Sequence, residues 1–190
     1  MRNLLSGSLA IARDIVNDVR EAINSLDEKS VNSILTLLRN AKKNNKKVFV
    51  MGEGPSGLVA RALAMRLAEL SYNVFVIGET ITSAVEQGDI FIAITGSGKT
   101  PLVLEAAKIA KEKVGARIIT VTTSEKSPME EVTDSLLLIS MKSTESNDED
   151  SYLNKQLTGN YVLSKRTVFE LAASCILEAI VTGLSSTGSK

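Results

Sequence analysis

Val48-Phe49-Val50-Met51 runs into Gly52-Glu53-Gly54-Pro55-Ser56-Gly57, and Ile90-Phe91-Ile92-Ala93-Ile94 runs into Thr95-Gly96-Ser97-Gly98-Lys99-Thr100. Both stretches follow one plan, a short β-rich run that ends in a turn of glycines and small hydroxyl residues. Such a turn is built to hold an anion. Glycine lets the backbone approach a ligand closely, N–H groups at a helix start point toward negative charge, and Ser or Thr hydroxyls add uncharged donors. Two such turns in one chain point to one phosphorylated ligand held from two sides.

Around these turns the pattern alternates between strand and helix. Val74 to Ile77, Ile118 to Val121 and Leu136 to Ile139 are further short β-rich runs, and helix-like stretches at Gly57 to Leu70 and Pro101 to Val114 separate most of the strands. The expected class is α/β, a five-stranded parallel sheet with helices on both faces. Two helices are expected ahead of the sheet. In the first, Leu5, Leu9, Ala12, Val16, Val19, Ile23 and Leu26 share one face. The second restarts at Asp27 or Ser30 and turns Val31, Ile34, Leu35, Leu38 and Ala41 inward. A last helix is expected from about Tyr161 to Val181, with a frayed end from Gly183. The polar, acidic stretch from Lys142 to Ser151 reads as a solvated loop.

With 190 residues, 44% of them hydrophobic, the chain has the length of one domain spanning 1–190. Lys plus Arg and Asp plus Glu both number 22, so no basic surplus is available for a nucleic-acid backbone. No stretch reads as an uninterrupted apolar span, so no membrane partner is expected and the expected location is cytoplasmic. Histidine is absent and Cys175 is the single cysteine. Triads that need histidine and the usual zinc sites are thereby excluded, no metal is expected, and carboxylates, Lys and Tyr remain as acid and base groups. Cys175, within the apolar stretch Ala172 to Ile180, is expected in the core.

The turns admit three readings. Gly52-x-Gly54-x-x-Gly57 fits a dinucleotide fingerprint with Glu79 as the ribose acid, but Pro55 stiffens the turn and that fold needs no second cradle. Gly98-Lys99-Thr100 matches the end of a nucleotide-binding P-loop, but Ala93 holds the first glycine position, and neither Ile118 to Val121 nor Leu136 to Ile139 leads to a magnesium-holding Asp. The third reading uses both turns. In the flavodoxin-like order 2-1-3-4-5, strands one and three are neighbours at the switch point, and their turns flank one crevice. Ser56, Thr95, Ser97 and Thr100 would converge there on a small phosphate without a basic clamp, which suits a monophosphate ester.

The two turns, with Ala64-Met65-Arg66-Leu67 in the first helix after β1 and Gly78-Glu79-Thr80 after the second strand, resemble the sugar isomerase (SIS) domain family. The likeness runs over nearly the whole chain, and within the family it is greatest to the hexuloisomerase branch. Thr95-Gly96-Ser97-Gly98-Lys99-Thr100 is its most specific part. The resemblance implies a phosphosugar ligand at Gly52, Gly54, Ser56, Gly57, Thr95, Gly96, Ser97, Gly98 and Thr100, with Arg66 and Glu79 as further binding residues. It also implies keto-isomerisation without a cofactor, and a homo-oligomer, tetramer or dimer, with sites near subunit boundaries. Glu170, in Thr167-Val168-Phe169-Glu170, takes the place of the family's base, with Glu178 and Glu79 behind it. Two departures stand out: Pro55 replaces an Arg of the first turn, and the tail from Gly183 to Lys190 lacks the His of relatives. SIS domains also serve as non-catalytic phosphosugar sensors, which is the alternative reading.

Overall fold

The computed structural model describes residues 2–141, 157–158 and 163–185. Five parallel strands, β1 (Val48–Gly52), β2 (Val74–Val76), β3 (Ile90–Ile94), β4 (Arg117–Thr122) and β5 (Ser135–Leu138), lie in the order β2-β1-β3-β4-β5. This is the expected doubly wound order, and all five strands fall where the β-rich runs were read. Alternation divides the sheet's side chains between two layers. Val48, Val50, Ile90, Ile92, Ile94, Ile119 and Val121 join one core. Phe49, Met51, Phe91, Ala93 and Ile118 join the other.

The first layer is covered by α1 (Arg2–Asn24), α2 (Glu28–Lys43), α3 (Pro55–Glu69) and α5 (Leu163–Ser185). The second is covered by α4 (Pro101–Lys108), which continues as a π-helical turn over Ile109–Val114, and by a short 3-10 turn at Glu130–Val132. No helix links β2 to β3. The chain between them is an irregular strap whose Ile77 and Val85 pack beside Phe75 on the second core. The strap is tied to the start of β1 by the buried Lys47, whose Nζ donates to Ala84 O at 2.7 Å and to Glu86 Oε1 at 2.6 Å. Asp89, 1% exposed, accepts from the backbone N–H groups of Lys47 and Glu86 and so needs no solvent to satisfy its charge.

Asp27 caps α2, accepting from the amides of Lys29 and Ser30, and these bonds hold its carboxyl below the usual Asp range. Ile34, Leu38 and Ala41 point inward as read. The first helix behaves otherwise. Val19 and Ala22 are buried near its end, but Leu9, Ala12 and Val16 stand in solvent, Leu9 at 60% and Val16 at 65% exposure. The helical period was legible, but α1 packs chiefly on α5 rather than on the sheet, and Leu9, Ala12 and Val16 stay uncovered in the single chain.

Three expectations about the last helix need correction. By length and composition Thr167–Ser185 is apolar enough to cross a membrane, contrary to the sequence reading. Its inner side, with Val168, Phe169, Ala172, Ala173, Leu177, Ile180 and Val181 buried, joins the first core beside α1 and α3. Cys175 is exposed rather than buried, because the helix is apolar all round and the helical turn places position 175 across from the buried Ala173 and Leu177. Gly183, Leu184 and Ser185 remain helical, where fraying was expected. The acidic loop at 142–151 and the last residues, 186–190, lie outside the described residues.

Candidate functional site

Gly52 pairs in register with Ile94, so the turns after β1 and β3 leave the sheet at the same level, side by side at the switch point. In the first turn the chain doubles back onto the strand it has just left. A Cβ on Gly52 would stand 2.6 Å from the Ser56 carbonyl oxygen, and one on Gly57 would stand 2.8 Å from the Gly52 carbonyl oxygen. The two glycines thus permit a backbone crossing that any side chain would block. Gly54 occupies the cap position of α3, and Ser56 lies buried in the helix's first turn.

Both helices that start at these turns are left open. α3 has Gly54 as its cap and Pro55 at its first position; α4 has Thr100 and Pro101 there; neither cap side chain bonds the helix amides. Proline suits the first helical position, where an N–H would have no intrahelical partner. The fold is capable of capping, since α2 is capped twice by Asp27. The amides left open at α3 and α4 are therefore donors for an anion placed between them.

The hydroxyls of the second turn are arranged in two ways. Thr95 is buried, and its Oγ1 lies 2.8 Å from Thr100 Oγ1, which draws the Thr100 hydroxyl away from the capping role. Ser97 is exposed, and its Oγ accepts from the Lys99 amide at 3.2 Å. That leaves the Ser97 hydroxyl proton to be donated to a ligand.

The loop after β4 holds this turn in place, and the sequence reading passed over it. The Gly96 carbonyl accepts from Thr123 N at 3.0 Å, Thr122 Oγ1 at 3.0 Å and Thr123 Oγ1 at 2.8 Å. In a trans peptide the next N–H points the opposite way, so these bonds turn the Ser97 amide away from the β4 loop, toward the crevice side. Gly98 has φ +64, and a Cβ there would fall 2.2 Å from Ser127 Oγ. No glycine marks the β4 loop; its only sequence signal is the hydroxyl cluster Thr122-Thr123-Ser124.

The carboxylates and the arginine fall in different places. Phe169 is buried against Gly96, with its Cδ1 3.3 Å from where a Cβ of Gly96 would be, and the half-buried Glu170 follows it on α5. Glu79, beyond β2, is exposed and accepts from Arg61 Nε at 2.9 Å. Arg66 lies ten residues along α3 from Ser56, about 15 Å down the helix. It pairs with Glu69 at 3.1 Å and with Glu178 on α5 at 3.2 Å. Its guanidinium is pushed above the usual Arg range, first by the hydrogen bond to Glu69 and then by the charge of Glu178. The fold thus gathers the two turns and the start of α5, while Arg66 and Glu178 line a separate groove between α3 and α5 with Ala62 and Ser174. Among the described residues no three His, Cys, Asp or Glu side chains are grouped to hold a metal ion.

The sheet order, the crossing glycines and the two open helix starts define a doubly wound α/β fold with a candidate binding crevice at the switch point. The chain belongs to the SIS domain family, whose model matches residues 42–152. It is 33% identical to the 3-hexulose-6-phosphate isomerase of Methylomonas aminofaciens over 90% of this chain and 86% of that one. To the enzyme of the same name from Mycobacterium gastri it is 32% identical, over 95% and 82% of the two chains. Among solved structures it is similar to a Methanococcus jannaschii protein inferred to be a 3-hexulose-6-phosphate isomerase. The TM-score is 0.71 at 26% identity, covering 95% of this chain and 90% of that one.

Proposed function

We propose that this chain, as a single domain, is a cofactor-independent phosphosugar isomerase of the cytoplasm that interconverts a 3-hexulose 6-phosphate and fructose 6-phosphate. The observation that carries the reading is the convergence at one switch point of two uncapped helix starts, the donor hydroxyl of Ser97 and the α5 turn that bears Glu170. A phosphate needs the first two groups, and an enediol mechanism needs a base beside them. Gly52, Gly54, Ser56, Gly57, Thr95, Gly96, Gly98 and Thr100 shape the phosphate cradle. Glu170 removes the proton from the carbon next to the carbonyl and returns it to the neighbouring carbon. Glu79, held by Arg61 at the crevice rim, and Arg66, tied to two carboxylates, act at a distance from the transferred proton.

A second copy of the chain fits the same reading. Leu9, Ile11 and Val16 on α1 and Leu171 on α5 are exposed apolar side chains on two helices that pack together, and such an area is covered in a homo-oligomer. The test of function is to incubate the protein with fructose 6-phosphate in deuterated water and follow the proton on the carbon beside the carbonyl. Exchange is expected at a rate that scales with protein. Binding of the sugar phosphate without exchange assigns the chain instead to the non-catalytic sensors, with Pro55 and the absent histidine as the reasons.

A further inference from the structure

Four acidic side chains among those described are withdrawn from full exposure: Asp89, Asp134, Glu170 and Glu53. Asp134 is held by Lys111, Arg117 and the Ile118 amide. Asp89 is accounted for by Lys47 and two backbone amides at the far end of the sheet. Glu170 lies beside Phe169 at the second turn. Glu53 sits between the two glycines of the first turn, half-buried, and its carboxylate makes no hydrogen bond or ion pair with any described residue. It is one residue beyond Gly52, as Thr95 is one residue beyond Ile94, and Gly52 and Ile94 are the last pair in register. A carboxylate partly removed from water and left without a partner is costly to keep.

We propose that Glu53 is the second acid-base group of the site, moving the oxygen-bound proton while Glu170 moves the carbon-bound one. This rests on the phosphosugar isomerase reading above. Starting from the 3-ketose, Glu170 takes the proton from C2, the C2–H electron pair becomes the C2–C3 double bond, and the carbonyl oxygen on C3 takes the proton of the Glu53 carboxylic acid. The enediol then gives its O2 proton to the Glu53 carboxylate, the carbonyl re-forms at C2, and C3 takes its proton from Glu170. Both side chains end as they began. This is a task histidine often performs, in a chain that has none.

The test compares Glu53→Gln, Glu53→Asp, Glu170→Gln and the parent chain, using fructose 6-phosphate in deuterated water and calorimetry. Glu53→Gln is expected to lose about a hundredfold in exchange rate, with affinity equal or tighter because a carboxylate near the phosphate is gone. Glu53→Asp, which keeps a group able to carry a proton, is expected to retain measurable exchange at a reduced rate, and that rescue separates proton transfer from a folding defect. Exchange by Glu53→Gln within twofold of the parent overturns the assignment while a dead Glu170→Gln leaves the isomerase reading standing. A parent that binds no fructose 6-phosphate overturns both.

Discussion

The ring of Phe169 lies against the backbone of Gly96, so close that a Cβ on Gly96 would stand 3.3 Å from Cδ1. That contact joins the last helix to the second glycine turn, and Glu170, 74 positions later in sequence than Gly96, directly follows the residue that makes it. Gly96→Val is expected to push Phe169 and the start of α5 away, costing about 1–3 kcal/mol of stability by overpacking. Exchange activity should fall further than the melting temperature alone explains, and paired activity and thermal-melting measurements check this.

Removal of the proposed base gives a different signature. Glu170→Gln keeps the shape but cannot accept a proton, so isomerisation is expected to fall by about a hundredfold or more. Affinity for fructose 6-phosphate should stay within a few-fold, since the cradle is untouched. Turnover equal to the parent would move the role to another carboxylate.

Ser97→Ala tests the cradle itself. The Ser97 oxygen is already engaged by the Lys99 amide, so its proton is the part available to a phosphate. A hydrogen bond to a charged group contributes about 1.5–3 kcal/mol, so calorimetry should show affinity weaker by roughly tenfold or more. The melting temperature should barely change.

Self-association is expected to run through α1. Leu9→Asp combined with Val16→Asp places two charges on side chains that are 60% and 65% exposed in the single chain. The parent should sediment as an oligomer at micromolar concentration and the double variant should shift toward monomer. A monomeric parent would remove the interface.

Asp134 sets an acid limit on stability. Its partial burial opposes ionisation, but Lys111, the Ile118 amide and Arg117 together hold its carboxyl below the usual Asp range. A lowered folded-state pKa means the stabilisation is fully present above the unfolded value, about 3.9, and is lost as pH falls through the folded one. Asp134→Asn should therefore be less stable than the parent at neutral pH, with the gap closing below about pH 4. Denaturant melts at several pH values measure it.

Much of this protein was determined by the sequence itself. The five strands could be read because each is a short β-rich run bounded by turn residues, and the two turns because each gathers glycines and small hydroxyl residues directly after such a run. The order of the strands followed from two such turns needing to share one crevice. Tertiary structure decided the rest. It placed Cys175 outside, because a helix apolar all round carries no periodic sign of which side is buried. It tied Arg66 to Glu69 and Glu178 rather than to the crevice, because partners distant in sequence meet only when α3 packs on α5. It brought the β4 loop onto Gly96 and left Glu53 half-buried with no partner among the described residues, because hydrogen bonds between separate strand ends depend on how the sheet sets those ends side by side.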